Sequence, residues 1–387
     1  MTLFRCKINK RGIQLSDITL ILLGAGSATR FKLEPKKQWL YSGDDPIWLM
    51  VANNFANFYA FKEIIIVSSY DDIKYMKLFG DYKFVVGGAT RQESLKNALE
   101  SVESKYTLVS DIARCCLDRD MIDRVVSNIG SSDCIVPAIS VVDTLYIDEK
   151  PIERSRAKRI QTPQLSRTEI LREAISSNIE YSDESSAISA IGGKITFVDG
   201  SDNAHKLTTI DDLNRLSCLN PPSNRTLSGF GIDIHPFESG KKMFLCGVEI
   251  DVEYGFKAHS DGDVAIHALI DALLGASGLG DIGELFPDTD SEYEGIDSRE
   301  LLKIVVSKIK SYGFVIGNVD ISIIAQSPKL MNYKESMRLS ISNLIGIRAN
   351  FVNIKATTAE KLGSLGRKEG VAVEAIANLT YFDWTKK

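Results

Sequence analysis

The chain has 387 residues, 44% of them hydrophobic and 25% charged, enough for two or three packed domains at about 150 residues each. A net charge of −5 argues against bulk binding of nucleic acid, which shows as a basic excess, yet leaves room for a few cations around a phosphate. There is no long apolar run to span a membrane, and six cysteines (Cys6, Cys115, Cys116, Cys134, Cys218, Cys246) without paired spacing predict a reduced, cytoplasmic enzyme.

In chain order, Ile18–Leu23 reads as a buried strand, Pro46–Phe58 as a helix and Glu63–Ser68 as a strand. Arg91–Val102 reads as a helix, Tyr106–Ser110 as a strand, Met121–Asn128 as a helix and Cys134–Ala138 as a strand. Short apolar strands alternating with helices predict a mostly parallel, Rossmann-like α/β sheet. Val141–Ile160 is charged and extended, more an arm than a sheet strand. Thr168–Ser176 and Ile210–Leu216 read as helices around a strand at Lys194–Val198. The segment Cys218–Thr226 has two prolines and no periodicity, so residues 1–217 and 227–387 are expected as domains joined by a 218–226 linker. The second part reads strand, strand, helix (Asp263–Leu274), glycine-rich loop, helix (Ser298–Tyr312) and strand (Asn318–Ala325). A helix (Tyr333–Ile345) and two strands (Phe351–Ala356 and Val371–Tyr381) follow, an α+β sandwich.

The first strand runs into Gly24-Ala25-Gly26-Ser27-Ala28-Thr29-Arg30, followed by Pro35-Lys36-Lys37-Gln38. Glycines after a buried strand let backbone amides approach phosphate oxygens. Thr29 stands where a dinucleotide fingerprint needs a third glycine, and the cations that follow suit a triphosphate. Gly87-Gly88-Ala89-Thr90-Arg91 lies at a second strand-to-helix junction, where free amides are expected. Asp111 and Arg114 follow a third strand, and loops at the carboxyl ends of parallel strands should converge. Asp111 there could hold Mg²⁺ or a sugar hydroxyl, or serve only as a cap or turn residue.

These runs, with Ser94, Asp143-Thr144, Thr162-Pro163-Gln164 and Lys206-Leu207-Thr208, resemble the methylerythritol phosphate cytidylyltransferases of isoprenoid biosynthesis. The resemblance implies attack of the methylerythritol 4-phosphate oxygen on the α-phosphorus of CTP, with release of pyrophosphate. By matching position, Arg30 and Lys37 would stabilise charge on the phosphates. Gly24, Ala25, Gly88 and Ser94 would hold the nucleotide, and Arg91 would support that loop. Asp111, Thr144, Arg154 and Lys206 would bind methylerythritol phosphate, Thr144 and Arg154 from an arm that in the family reaches across a dimer. The sequence departs from the family pattern at Ala89, at Ile112 and Cys115, and in the GAGSATR loop; altered affinity rather than lost activity is expected.

In the second half Asp233 and His235 alternate on a strand and so share a face. His259-Ser260-Asp261-Gly262-Asp263 opens a helix that Ser260 or Asp261 could cap. Asp263, His267 and Asp271 recur every four residues on it. One aspartate, two histidines and an open position form the ligand set of a catalytic zinc site. The runs Gly280-Asp281-Ile282-Gly283, Ala325-Gln326-Ser327-Pro328-Lys329-Leu330 and Lys355-Ala356-Thr357-Thr358-Ala359-Glu360 complete a resemblance to methylerythritol 2,4-cyclodiphosphate synthases over nearly all of Gly229–Phe382.

This second resemblance implies that the 2-phosphate of CDP-methylerythritol 2-phosphate attacks the β-phosphorus and expels CMP. Asp233, His235 and His267 would ligate Zn²⁺, and Glu360 would hold a second divalent ion; Mg²⁺ or Mn²⁺ is implied at both sites. His259 and Ser260 would clamp the substrate phosphate, while Thr357 and the catalytic Thr358 would orient the α-phosphate. Asp281 and Gly283 would bind ribose. Ala325, Pro328, Lys329, Leu330 and Met331 would surround cytosine, and Arg367 and Glu374 would line the channel of a trimer. A homo-oligomer built from dimer and trimer contacts, such as a hexamer, is therefore expected, with no nucleic-acid or membrane partner. The rival readings are a sugar-phosphate nucleotidyltransferase, or a non-catalytic scaffold, fused to the cyclase.

Overall fold

A computed structural model describes residues 17–26, 30–177, 179–258, 260–287 and 295–386. It divides into two compact units, Met1–Pro221 and Pro222–Lys387. The Ile18–Leu23 strand is buried along its whole length, as an apolar strand covered on both faces must be. It lies parallel to Glu63–Ser68 on one side and to Tyr106–Asp111 on the other. The full sheet runs Lys158–Ile160, Cys134–Ser140, Gln164–Arg167, Tyr106–Asp111, Ile18–Leu23, Glu63–Ser68, Lys83–Val86, and Ile195–Asp199 pairs with Cys134–Ser140.

Two strands, Lys158–Ile160 and Gln164–Arg167, are antiparallel to their neighbours. The expected arm is therefore shorter than the sequence implies: its last three residues join the sheet. The remainder folds a hairpin of Leu145–Ile147 on Lys150–Ile152. Helices Ile47–Phe58, Arg91–Leu99 and Arg119–Ser127 match the expected pattern, whereas Ile210–Arg215 is a 3₁₀ turn. Tyr70–Met76 and Glu184–Ala190 are helices that the sequence reading does not contain.

The second unit is a five-stranded sheet ordered Tyr254–Phe256, Leu227–Ser239, Gly370–Tyr381, Phe314–Ile324, Val352–Thr357. The long helix Val264–Ser277 packs on its two central strands. It can do so closely because Gly229 and Gly231 face it: a Cβ at either would stand 2.0 or 2.1 Å from the carbonyl oxygens of Ala272 and Ala268. Alternation then sends Phe230, Ile232 and Ile234 to the opposite face, where they are 57%, 50% and 58% exposed. Among the described residues no helix is long and apolar enough to cross a membrane.

Candidate active sites

In the first domain the three loops expected to converge do so. Leu23–Gly26, Lys37, Gln38, Gly88–Arg91, Ser94, Asp111–Ala113 and Lys206 line one cavity of about 330 Å³. Gly24 is required by close approach, since a Cβ there would lie 2.5 Å from Ile112 Cδ1 and 3.3 Å from the Val67 carbonyl oxygen. Lys37 sits in a tight turn whose neighbours are fastened to buried Asp72: Lys36 Nζ donates to its Oδ1 at 2.6 Å and Gln38 Nε2 to its Oδ2 at 3.2 Å. Burial and the nearby charges of Lys206 and Arg30 lower the Lys37 pKa against the pull of Asp111. Arg30 itself is exposed, and Ser27, Ala28 and Thr29 of the same loop lie outside the described residues.

A chain of alternating charge crosses the cavity floor. Glu184, fully buried, accepts two hydrogen bonds from Arg91, at 2.7 and 3.4 Å. Arg91 Nε reaches Asp111 Oδ1 at 3.4 Å, and Lys206 Nζ donates to Asp111 Oδ2 at 2.7 Å. Burial alone would raise the Asp111 carboxyl, but Arg91, Lys206 and Arg114 hold it at about 2. Burial pushes the Glu184 carboxyl up against the same Arg91. Gln164 seats the helix that carries Glu184: its Nε2 donates to Asp183 and its Oε1 accepts from the Ser185 amide. Sequence reasoning missed Asp72 and Glu184, because only burial distinguishes them from ordinary surface acids, and Asp183, whose helix-capping role shows only in its bonds to Gln164 and the Ser186 amide.

Two expectations need correction. The amides after Gly87 are not free: Gly88 N–H donates to Ser94 Oγ and Ala89 N–H to Glu93 Oε2. Orphan donors at a helix start are satisfied by side chains where such side chains are in reach. Ser94, buried, thus holds the loop in shape. Asp111 stands between two cations, Arg91 and Lys206. Lastly, the cysteines are not all unpaired, because Cys116 and Cys218 form a disulfide across a sequence separation of 102. Thr144 and Arg154 are exposed on the arm and absent from the cavity wall; Arg154 donates to the Val142 carbonyl at 2.6 Å. A second cavity of about 410 Å³ shares Lys206 and is lined by Arg114, Arg159, Gln161 and His205 among others. Arg114 has a buried Nε with no partner among the described residues.

In the second domain Asp233, His235 and His267 bring their ligand atoms within 4.8 Å of one another. His235 Nδ1 stands 3.0 Å and His267 Nδ1 3.2 Å from Asp233 Oδ2. Three donors, one carboxylate and two imidazoles, thus converge on one point, and the donor set fits a divalent metal. Asp233 is held well below the usual carboxylate range by the two histidines despite its burial. His267 Nε2 meets Ser298 Oγ at 2.9 Å, and Ser298 in turn donates to Asp261 Oδ1 at 2.5 Å. Such outer partners fix the tautomer and ring orientation of a ligand; Ser298 carries no signal in its local sequence that marks this role.

The helix cap is Asp263, not Ser260 or Asp261. Its buried carboxylate accepts from the amides of Cys246, Gly247, Ala265 and Ile266. Asp271 accepts from the Ile282 amide and Asp281 from the Glu284 amide, holding the Asp281–Gly283 loop. Thr357 ends a strand paired to Ile324, beside Ala325, and Leu330 is buried while Met331 is 78% exposed. Pro328 follows a cis peptide bond and Lys329 is exposed. Thr358 Oγ1 donates to Glu360, whose carboxylate stands outside the Asp233–His235–His267 group. Arg367 pairs with Glu369, and Glu374 shares the open sheet face with Ile376. His259 and residues 288–290 lie outside the described residues.

Fold and sites define a two-domain enzyme of nucleotide and phosphate chemistry: a nucleotidyltransferase-like α/β domain and an α+β domain with an Asp-His-His donor group. The profile of 2-C-methyl-D-erythritol 4-phosphate cytidylyltransferase matches residues 18–218, and that of the YgbB family matches residues 226–380. The chain is 59% identical to the bifunctional enzyme IspD/IspF of a Sulfurovum species, over 96% of this chain and all of that one. It is 56% identical to that of Sulfurimonas denitrificans, over 97% of each. The solved structure of the bifunctional IspDF from Campylobacter jejuni superposes with a TM-score of 0.89 at 48% identity, covering 95% of this chain and all of that one. The protein belongs to the bifunctional IspD/IspF family, which joins a cytidylyltransferase to a cyclodiphosphate synthase of the non-mevalonate isoprenoid pathway.

Proposed function

We propose that the first domain transfers CMP from CTP to methylerythritol 4-phosphate in the cavity bounded by Gly24, Lys37, Gly88, Asp111 and Lys206. The observation that carries this reading is the convergence of three cationic side chains, Lys37, Arg91 and Lys206, on one glycine-lined cavity. Lys37, with Arg30 beside it, neutralises charge on the phosphates as the α-phosphorus is attacked and pyrophosphate leaves. Gly24 and Ala25 let the nucleotide approach the backbone. Asp111 and Lys206 bind the methylerythritol phosphate, completed by Thr144 and Arg154 of a second chain. Mg²⁺ or Mn²⁺ bound with the triphosphate supplies further charge neutralisation.

The second domain is proposed to close CDP-methylerythritol 2-phosphate to the cyclic diphosphate, with Asp233, His235 and His267 holding Zn²⁺ and Glu360 a second divalent ion. Bound there, the metals polarise the phosphates and act as a template for in-line displacement. Ser260 and His259 hold the attacking phosphate, and Thr357 and Thr358 orient the one that leaves with CMP. Asp281 and Gly283 take the ribose. Ala325, Pro328, Lys329, Leu330 and Met331 surround the base. The exposed stripe of Phe230, Ile232 and Ile234 supports self-association, since apolar patches of that kind mark interaction surfaces. We read it as the trimer face, with Arg367 and Glu374 near its centre and the arm pairing chains two-fold, in a cytoplasmic hexamer divided at linker 218–226. Sedimentation velocity on the whole chain reads this directly, a monomer being the contrary result.

The test of function is a pair of assays on the intact chain. Pyrophosphate release should require CTP and methylerythritol 4-phosphate, and CMP release should require CDP-methylerythritol 2-phosphate with divalent metal. Equal turnover of UTP or GTP with other sugar phosphates would favour a general nucleotidyltransferase.

A further inference from the structure

Cys115 and Cys116 lie in the turn just after Asp111, and Cys218 lies near the end of the first domain. Their three sulfurs fall within 4.8 Å of one another. Cys116 and Cys218 are bonded, with Cα atoms 5.3 Å apart, while buried Cys115 keeps its thiol. The turn bearing Cys115 and Cys116 is also stitched to the segment bearing Lys206. Arg114 Nη1 donates to the Ala204 carbonyl at 2.6 Å, and Leu207 N–H donates to the Ala113 carbonyl at 2.8 Å. The disulfide adds a covalent tie between the same turn and a point further along the segment that follows Lys206, so it backs the hydrogen bonds that hold Asp111 and Lys206 together at 2.7 Å. Nothing in the cytidylyl-transfer chemistry uses these sulfurs.

We infer that Cys116 and Cys218 are a reversible dithiol–disulfide pair that tightens the sugar-phosphate end of the cytidylyltransferase site when oxidised and loosens it when reduced. The inference rests on the reading of Asp111 and Lys206 as sugar-phosphate ligands. The oxidant is a low-molecular-weight disulfide. Cys218, the least buried of the three, attacks it as thiolate, forming a mixed disulfide and expelling one small thiol. Cys116 thiolate then attacks the Cys218 sulfur and expels the second. Two protein thiols lose two protons and two electrons, and the small disulfide is reduced to two thiols; a dithiol reductant reverses the exchange. Cys115 does not compete, because burial pushes its thiol up to about 12 and it stays protonated.

The test equilibrates the full chain with reduced or oxidised glutathione. Non-reducing peptide mass spectrometry reads the pair, and both activities are measured in each state. Oxidised protein should carry the Cys116–Cys218 cross-link. Reduction should raise KM for methylerythritol 4-phosphate about 5-fold, as a looser geometry costs affinity and alignment, and leave CMP release unchanged. Cys218→Ser should keep the reduced-state KM under both conditions, and Cys115→Ser should remain responsive. Failure to cross-link, an unchanged KM between states, or a metal ion retained by the three thiols of the reduced chain would overturn the inference. If Lys206→Ala also left that KM unchanged, the ligand reading would have failed instead, whatever the mass spectra reported.

Discussion

The two domains build their sites in opposite ways. The candidate metal set of the second domain comes from one strand and one helix: Asp233 and His235 two residues apart on a strand, and His267 one turn into the helix packed on it. The cytidylyltransferase cavity is assembled from segments scattered between Leu23 and Lys206, and its floor is an unbroken run of ion pairs, Glu184–Arg91–Asp111–Lys206. A local ligand set fails when one ligand is removed. A distributed charge chain loses alignment by degrees, because Arg91 and Asp111 each touch two opposite charges and keep one when the other is removed.

The largest effect is expected in the cyclase domain. On the proposed ligand set, His267→Ala removes one of three donors, so zinc in the purified chain, read by elemental analysis, should fall and CMP release should drop by about 10³-fold or more. Pyrophosphate release should be unchanged, and full zinc content in the variant would mean that the ligand set is wrong. A smaller loss is expected from Glu184→Gln, which keeps the shape of the side chain and removes the charge that orients Arg91. Because Glu184 acts through Arg91 on Asp111, kcat/KM for cytidylyl transfer should fall about 10-fold, mainly through KM for methylerythritol 4-phosphate. Glu184→Asp should recover part of it, and an unchanged KM would show that Arg91 needs no anchor.

The smallest effect is on stability. The Asp111 carboxyl is depressed in the folded state from 3.8 to about 2. Its contribution of about 2 kcal/mol is therefore complete above about pH 4 and is lost as the pH falls toward 2. Denaturant unfolding of wild type and Asp111→Asn across that range should converge at the acid end; curves that stay parallel would contradict the linkage.

The contrast also explains what the sequence could reveal. Ile18–Leu23 and Glu63–Ser68 were legible to the residue because continuous apolar runs admit few other readings. Asp233 and His235 were legible as one strand face and His267 as one helix face from their periods, whereas joining them into one ligand set drew on the donor types and the resemblance to the cyclodiphosphate synthases. Glu184–Ala190 and Tyr70–Met76 are short and polar, and Glu184 and Asp72 acquire meaning only from cations distant in the chain. Asp263 escapes a local reading because its four amide partners include Cys246 and Gly247, beyond the helix it caps. The Cys116–Cys218 bond joins residues whose spacing carries no signature.

The central claim is that one chain holds two independent sites, the first organised around Lys37. Its most direct test is Lys37→Ala, carried through both assays on the intact protein. Removing the cation aimed at the phosphates should cut CTP-dependent pyrophosphate release by at least about 10²-fold while CMP release from CDP-methylerythritol 2-phosphate stays at the wild-type rate. Near-normal pyrophosphate release, or an equal loss of both activities, would contradict it.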